Sequence, residues 1–140
     1  MDRVAGVEAV CLDRAGDFEI SLAAEEVQGC VGKAVLIRTG HSKHWGTGRY
    51  FSDHPFLTKA SAELLVEVGV ACVGIDTFNI DDTRDDDRPV HTVLLGSEVP
   101  IVEHMTNLDQ LPASGFTFTA VPPKIEGAGT FTVRAFATTN

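Results

Sequence analysis

The sequence predicts an α/β domain built around a mixed sheet, and three observations carry that prediction. Short apolar, β-branched runs alternate with amphipathic helical stretches along most of the chain. Two β-rich runs then follow one another near the C-terminus with no helix between them, which adds a strand pair to a sheet otherwise made of strand–helix–strand units. Clusters of Gly, Pro and Asp separate the elements, and neither an internal repeat nor a break in composition divides the chain. A single domain over residues 1–140 is therefore expected, long enough to bury a core of its own.

Residues 7–12 (VEAVCL) form a short apolar run ended by the turn-like DRAGD, the pattern of a first strand. Ser21 then precedes LAAEEVQG, where acidic residues in the opening turn mark a helix start and Gly29 a stop. Residues 34–37 (AVLI) are continuously apolar, as in a strand buried on both faces. A long loop follows, RTGHSKHWGTGRYFSDHP, rich in Gly, His and aromatic residues. The best helix is TKASAELLVEVG: Thr58 opens it, Ala62, Leu65, Val66 and Val68 share one broad face, Lys59, Glu63 and Glu67 lie mostly opposite, and Gly69 closes it. VACVGIDT (70–77) reads as a second buried strand and NIDDTRDDDRP as the next loop. A short helix HTVLLGS, a strand VPIVEHM, and the late strands FTFTAV (116–121) and TFTVRAF (130–136) complete the order.

Composition excludes several classes of function. A net charge of −9 disfavours sequence-independent binding of nucleic acid, which needs clustered Lys and Arg. No apolar run approaches the roughly 18 residues of a membrane span. The N-terminal MDRVAGVEAV carries acidic residues where a signal peptide has a basic and then apolar run, so a cytoplasmic protein is expected. Cys11, Cys30 and Cys72 are odd in number and show no C-x-x-C spacing, which points to free, mostly buried thiols.

No phosphate-binding loop, dinucleotide fingerprint or nucleophile elbow is present. Five histidines remain as candidate chemistry. His91 opens the helix after the acidic loop, and Glu103 lies twelve residues on, in the next strand. Two such positions can converge at one end of a sheet, and a neutral imidazole with a carboxylate suits a divalent metal. The same pair can equally be an ordinary histidine and an ordinary glutamate, since any Val-Glu-His strand alternates its faces. In the long loop, Trp45, Tyr50 and Phe51 offer flat faces to an aromatic ligand and His41 a polar group, or the loop is an apolar flap over the core. DDTRDDDRP lacks the spaced ligands of a calcium loop and is expected to be a solvated acidic tract.

Four segments together, AVLIRTGHSKHWG, HPFLTKASAELLVEVGVACVGIDT, PVHTVLLGSEVPIVEHMTNLDQLP and FTFTAVPPKIEGAGTFTVRAFA, resemble the cyclase-like metal-dependent hydrolases, a family that includes bacterial kynurenine formamidase and isatin hydrolase. The resemblance runs from about Val7 to the C-terminus. It implies a swivelling β/β/α-type fold, a dimer or higher oligomer, and hydrolysis of an amide or lactam bond in a small aromatic compound by water activated on zinc or manganese. His91 in P-V-H and Glu103 in I-V-E match family metal ligands. His104 is not expected to join them, because strand alternation places it on the opposite face.

The family's main signature, H-x-G-T-H-x-D-x-P-x-H, precedes the strand matched by VEAVCL, and no stretch of these residues replaces it. Relative to the family the chain is thus expected to be N-terminally truncated, with an incomplete metal site, since water activation takes about three protein ligands and a base or acid. Three readings follow. In the first, a partner chain or an upstream segment supplies the missing ligands. In the second, the chain is an inactive homologue with a binding or structural role. In the third, His41, His44 or His54 serve a different chemistry in the same pocket.

Overall fold

The computed structural model describes residues 3–139. Its elements in chain order are β1 (Val7–Asp13), β2 (Glu19–Ile20), α1 (Ala24–Val27), β3 (Ala34–Arg38), β4 (Phe56–Leu57), α2 (Lys59–Val68), β5 (Cys72–Ile75), α3 (Pro89–Gly96), β6 (Ile101–Val102), β7 (Phe116–Thr119) and β8 (Phe136–Thr139). Six strands make one sheet in the order β6-β5-β3-β1-β7-β8. The first four run parallel, and β7 and β8 are antiparallel additions at one side. The expected mixed α/β sheet is therefore present.

Alternation along the central strands builds two cores. Val35 and Ile37 on β3, with Val73 and Ile75 on β5, face the helices and pack with Leu65 of α2 and Leu94 of α3. Ala34, Leu36 and Cys72 face the other way, toward Met105, Leu108, Phe116 and Phe118. Complete burial of each such Val, Ile or Leu contributes roughly 1.5–3 kcal/mol, which is why AVLI must be apolar at every position. Cys11, Cys30 and Cys72 are free and buried.

Helix α2 forms where its sequence pattern places it. The Thr58 hydroxyl accepts the Ser61 N–H, and Gly69 closes the helix in the left-handed region at φ 79, its N–H bonding back to the carbonyls of Leu65 and Val66. Gly74 answers a different need. A Cβ there would lie 2.5 Å from Met105 Sδ and 2.7 Å from Leu36 Cδ2, so the second core closes only because β5 has no side chain at this point. Gly74→Ala is expected to lower unfolding stability by about 1–3 kcal/mol, read as a drop in the urea midpoint.

Four elements differ from the sequence expectation, one of them β6, which is Ile101–Val102 rather than the whole of VPIVEHM. Helix α1 is a single turn, its Ala23 N–H held by Glu26 Oε2 at 2.7 Å. A two-stranded parallel ribbon of β2 and β4 buries Ile20 and Leu57, in runs too short for periodicity to reveal. The last strand is residues 136–139 rather than 130–136, paired from Phe116↔Thr139 to Thr119↔Phe136. Pro122 and Pro123 follow β7 and prevent a tight hairpin, so the chain runs outward and rejoins the sheet only at Phe136. Among the described residues no helix is long and apolar enough to cross a membrane.

Candidate metal and substrate site at the carboxyl ends of the parallel strands

The loops that leave the carboxyl ends of β3, β5 and β6 meet at one end of the sheet, where open α/β sheets place their ligand sites. Asp76 follows β5 directly and is 1% exposed. Its Oδ1 accepts the Thr39 N–H and the Thr39 hydroxyl, both at 2.7 Å, and its Oδ2 accepts the Gly40 N–H at 2.8 Å. One buried carboxylate thus fixes how the chain leaves β3 and where the histidine-rich loop begins.

A second buried carboxylate organises the entry to α3. Asp81, 2% exposed, accepts the Val90 N–H on Oδ1 at 2.7 Å and the His91 N–H on Oδ2 at 3.1 Å, satisfying amides that a helix leaves unpaired at its N-terminus. The same Oδ2 lies 2.6 Å from His91 Nδ1. Because a carboxylate only accepts, Nδ1 carries the proton, and the Nε2 lone pair is left for another partner. Nε2 faces Glu103 Oε1 at 3.6 Å. Glu103 is fixed in turn by the Ile80 N–H, which donates to Oε1 at 2.7 Å. The Arg88 guanidinium lies against the imidazole, 3.0 Å from Nε2 and 3.3 Å from Nδ1.

The tertiary structure therefore brings His91 and Glu103 together, and it adds Asp81, which the sequence reading placed in a solvated tract. Beyond it the tract is indeed surface: residues 83–88 are exposed, and Asp82 pairs with Arg84 at 2.7 Å, which holds its carboxyl down at about 2. The available signal for Asp81 was its place as the first acid of the run, directly after the apolar Ile80. Among the described residues no group of three or more His, Cys, Asp or Glu is arranged to hold a metal ion.

The histidine-rich loop folds back on itself through two 3₁₀ turns, 41–44 and 48–51. His41 is 6% exposed and Tyr50 1%, so these two form the interior of the loop, whereas Trp45 at 66% and Phe51 at 59% stand at its surface. His41 stacks on Tyr50 and donates from Nε2 to the Tyr50 carbonyl at 3.0 Å. His54 is buried against Phe78; its Nδ1–H donates to the Pro55 carbonyl and its Nε2 accepts the Thr83 hydroxyl. Burial pushes the His54 imidazole below its usual range, with the nearby Pro55 carbonyl opposing the shift. An imidazole depressed in the fold binds fewer protons than in the unfolded chain. Stability is therefore full above the unfolded value of about 6.5 and declines as pH falls toward the folded one. The urea midpoint should drop between about pH 7.5 and 5.5, and drop less in His54→Gln.

His104 is not a strand residue. Strand β6 ends at Val102, and His104 takes the left-handed backbone at φ 58, so alternation does not set its direction. Its Nδ1 lies 3.0 Å from the Tyr50 hydroxyl. Beside it a groove of about 1410 Å³ is lined by His91, Glu103 and His104, by Met105, Leu108 and Phe118 of the second core, and by Phe136.

The Cyclase family model, described as "Putative cyclase", matches residues 2–82. An uncharacterised protein of Methanocaldococcus jannaschii is 32% identical over 107 residues, covering 74% of this chain and 52% of that protein. The kynurenine formamidase of Bordetella avium is 29% identical over 103 residues, covering 72% and 47%. Isatin hydrolase A from Ralstonia solanacearum superposes with a TM-score of 0.84 at 27% identity, covering 96% of this chain and 60% of that structure. The chain spans about half the length of these two curated relatives. With a family model matched over more than half of its residues, and with 96% of the chain superposing on part of the solved relative, the chain belongs to the cyclase-like metal-dependent hydrolase family.

Proposed function

We propose that the chain contributes two ligands, His91 Nε2 and Glu103, to a divalent metal centre, zinc or manganese, in a hydrolase of amide or lactam bonds in small aromatic compounds. The observation that carries this reading is the oriented pair: Nε2 and Oε1 stand 3.6 Å apart, and Asp81 holds the proton on Nδ1. A nitrogen and an oxygen donor of this kind suit both metals. When bound, the metal would lower the pKa of a coordinated water. The chain's own residues do the positioning. Asp81 fixes the imidazole, the Ile80 amide fixes Glu103, and the groove beside them accepts an apolar ring.

Because a water-activating centre takes about three protein ligands, the remaining ligands are proposed to come from a partner chain or from a further segment of the same protein. Residues 1–140 are proposed to act as one domain in a homo-oligomer, most simply a dimer, in the cytoplasm; residues 1, 2 and 140 lie outside those described. Support for association comes from the open groove and from β8, an edge strand with Phe136 51% exposed. The alternative is a catalytically inactive homologue with a binding or structural role, favoured by the lack of a three-ligand cluster among the described residues.

Metal titration of the full chain tests the primary reading. Zinc or manganese should bind, and His91→Ala or Glu103→Gln should weaken binding by about 10²-fold or more, read by calorimetry and elemental analysis. Binding that is unchanged in both variants would sink it. Hydrolysis of N-formylkynurenine or isatin by the metal-loaded chain, alone or with a partner, separates the active reading from the inactive one.

A further inference from the structure

We propose that His104, oriented by Tyr50, is a ligand-positioning residue whose Nε2–H donates to a carbonyl or carboxylate oxygen of an aromatic ligand in the groove beside His91 and Glu103. The inference deepens the reading above and rests on it for the ligand class. Three observations, none of which involves a metal, carry it.

First, the proton assignment follows from burial. The Tyr50 side chain is 1% exposed, and its hydroxyl lies 3.0 Å from His104 Nδ1. Buried phenols keep their proton and give it to an acceptor. Burial pushes Tyr50 up to about 12, so the hydroxyl stays protonated. Had Nδ1 carried the proton, the phenol would lose that acceptor. Nδ1 therefore accepts, and the ring's proton sits on Nε2. Second, the backbone of His104 is held in the left-handed region, φ 58, by its N–H donating to the Thr77 carbonyl at 2.8 Å. Only Gly, and less often Asn, Asp and His, occupy that region readily, and residues so held concentrate at functional sites. Third, the ring is placed as a donor to something outside the fold. Trp45 packs edge-on to both Tyr50, at 5.0 Å, and His104, at 6.1 Å, which fixes the ring plane, while His104 remains exposed and lines the groove with His91 and Glu103.

An exposed N–H whose direction is set by a buried phenol is a preorganised donor, and its complement is an oxygen acceptor on a ligand lying along the apolar groove. An aromatic keto acid or amide supplies both the flat apolar body and the oxygen.

The test uses the full chain with chelator present, so that it does not depend on the metal reading. Nitrogen-15 NMR of labelled histidine should show His104 as the Nε2–H tautomer, and Tyr50→Phe should remove that preference. Binding of 2-aminophenylglyoxylate, followed by fluorescence of Trp45, should weaken about fivefold in His104→Ala and His104→Asn, and about twofold to threefold in Tyr50→Phe, in line with one hydrogen bond. Asn accepts the left-handed backbone and its shorter amide does not reach the position of Nε2, so His104→Asn separates loss of a donor at that position from loss of fold. An Nδ1–H tautomer in the unaltered chain, no binding of the probe, or equal binding by His104→Asn would each overturn the proposal. Metal binding that is undiminished in His91→Ala and Glu103→Gln, with the His104 tautomer and probe affinity intact, would count against the metal ligands alone.

Discussion

Asp81→Ala is expected to lower unfolding stability by about 3–5 kcal/mol, because it removes the acceptor of three donors in a site that water does not reach. The Val90 and His91 amides and His91 Nδ1–H all point at this carboxylate, and helix α3 loses its N-terminal counter-charge with them. A more discriminating change is Asp81→Asn. Its carbonyl oxygen can still accept the Val90 N–H, so about 2 kcal/mol of destabilisation is expected. The amide nitrogen, however, would face His91 Nδ1, which then has to accept, moving the ring's proton to Nε2. Nε2 is the atom that faces Glu103, so the proposed metal donor is blocked while the fold survives. Zinc or manganese affinity should fall by about 10–100-fold in Asp81→Asn. Urea denaturation with calorimetric titration checks both halves; a folded Asp81→Asn with undiminished metal affinity would show that Asp81 does not orient His91.

Asp76→Ala is expected to have an effect of similar size, about 3 kcal/mol or more, with a different consequence. Its two oxygens take both donors of Thr39 and the Gly40 amide, so they decide the path of the chain into the loop that carries His41, Trp45 and Tyr50. Without the carboxylate, the Thr39 amide in a buried turn has no acceptor from β5, and the loop should open from its first residue. Amide exchange across residues 39–54 should then speed up far more than exchange in α2, and the Tyr50–His104 bond should weaken with it. Uniform acceleration across the whole chain would instead mean that Asp76 supports the sheet at large. Asp76→Asn should be milder, since one acceptor oxygen remains.

These two carboxylates mark where the sequence was readable and where it was not. VEAVCL, AVLI and TKASAELLVEVG could be assigned because periodicity, β-branching and caps are local properties, and the structure places β1, β3 and α2 on them. The segment TFTVRAF looked like a strand for the same local reason, yet only its final Phe pairs, because Pro122 and Pro123 set where the chain can return to the sheet. Asp76 and Asp81 were nearly invisible: Asp76 fell inside the run read as a strand, and Asp81 inside the tract read as a solvated loop. Their importance lies in amides 36 or 37 residues away for Asp76, and 9 or 10 for Asp81.

For His104 the sequence suggested strand alternation, whereas the strand stops two residues earlier and a left-handed turn sends the ring to Tyr50. The sequence by itself determined the α/β class, the central strands and the main helix, and through family resemblance singled out His91 and Glu103. Tertiary structure alone decided that those two side chains face each other, which ring nitrogen carries the proton, and that Tyr50 and His41 lie inside their loop while Trp45 stays outside. The physical reason is range: propensity and hydrophobic period act over a few residues, whereas a proton's position and a side chain's burial are set by partners the chain meets only after it has folded.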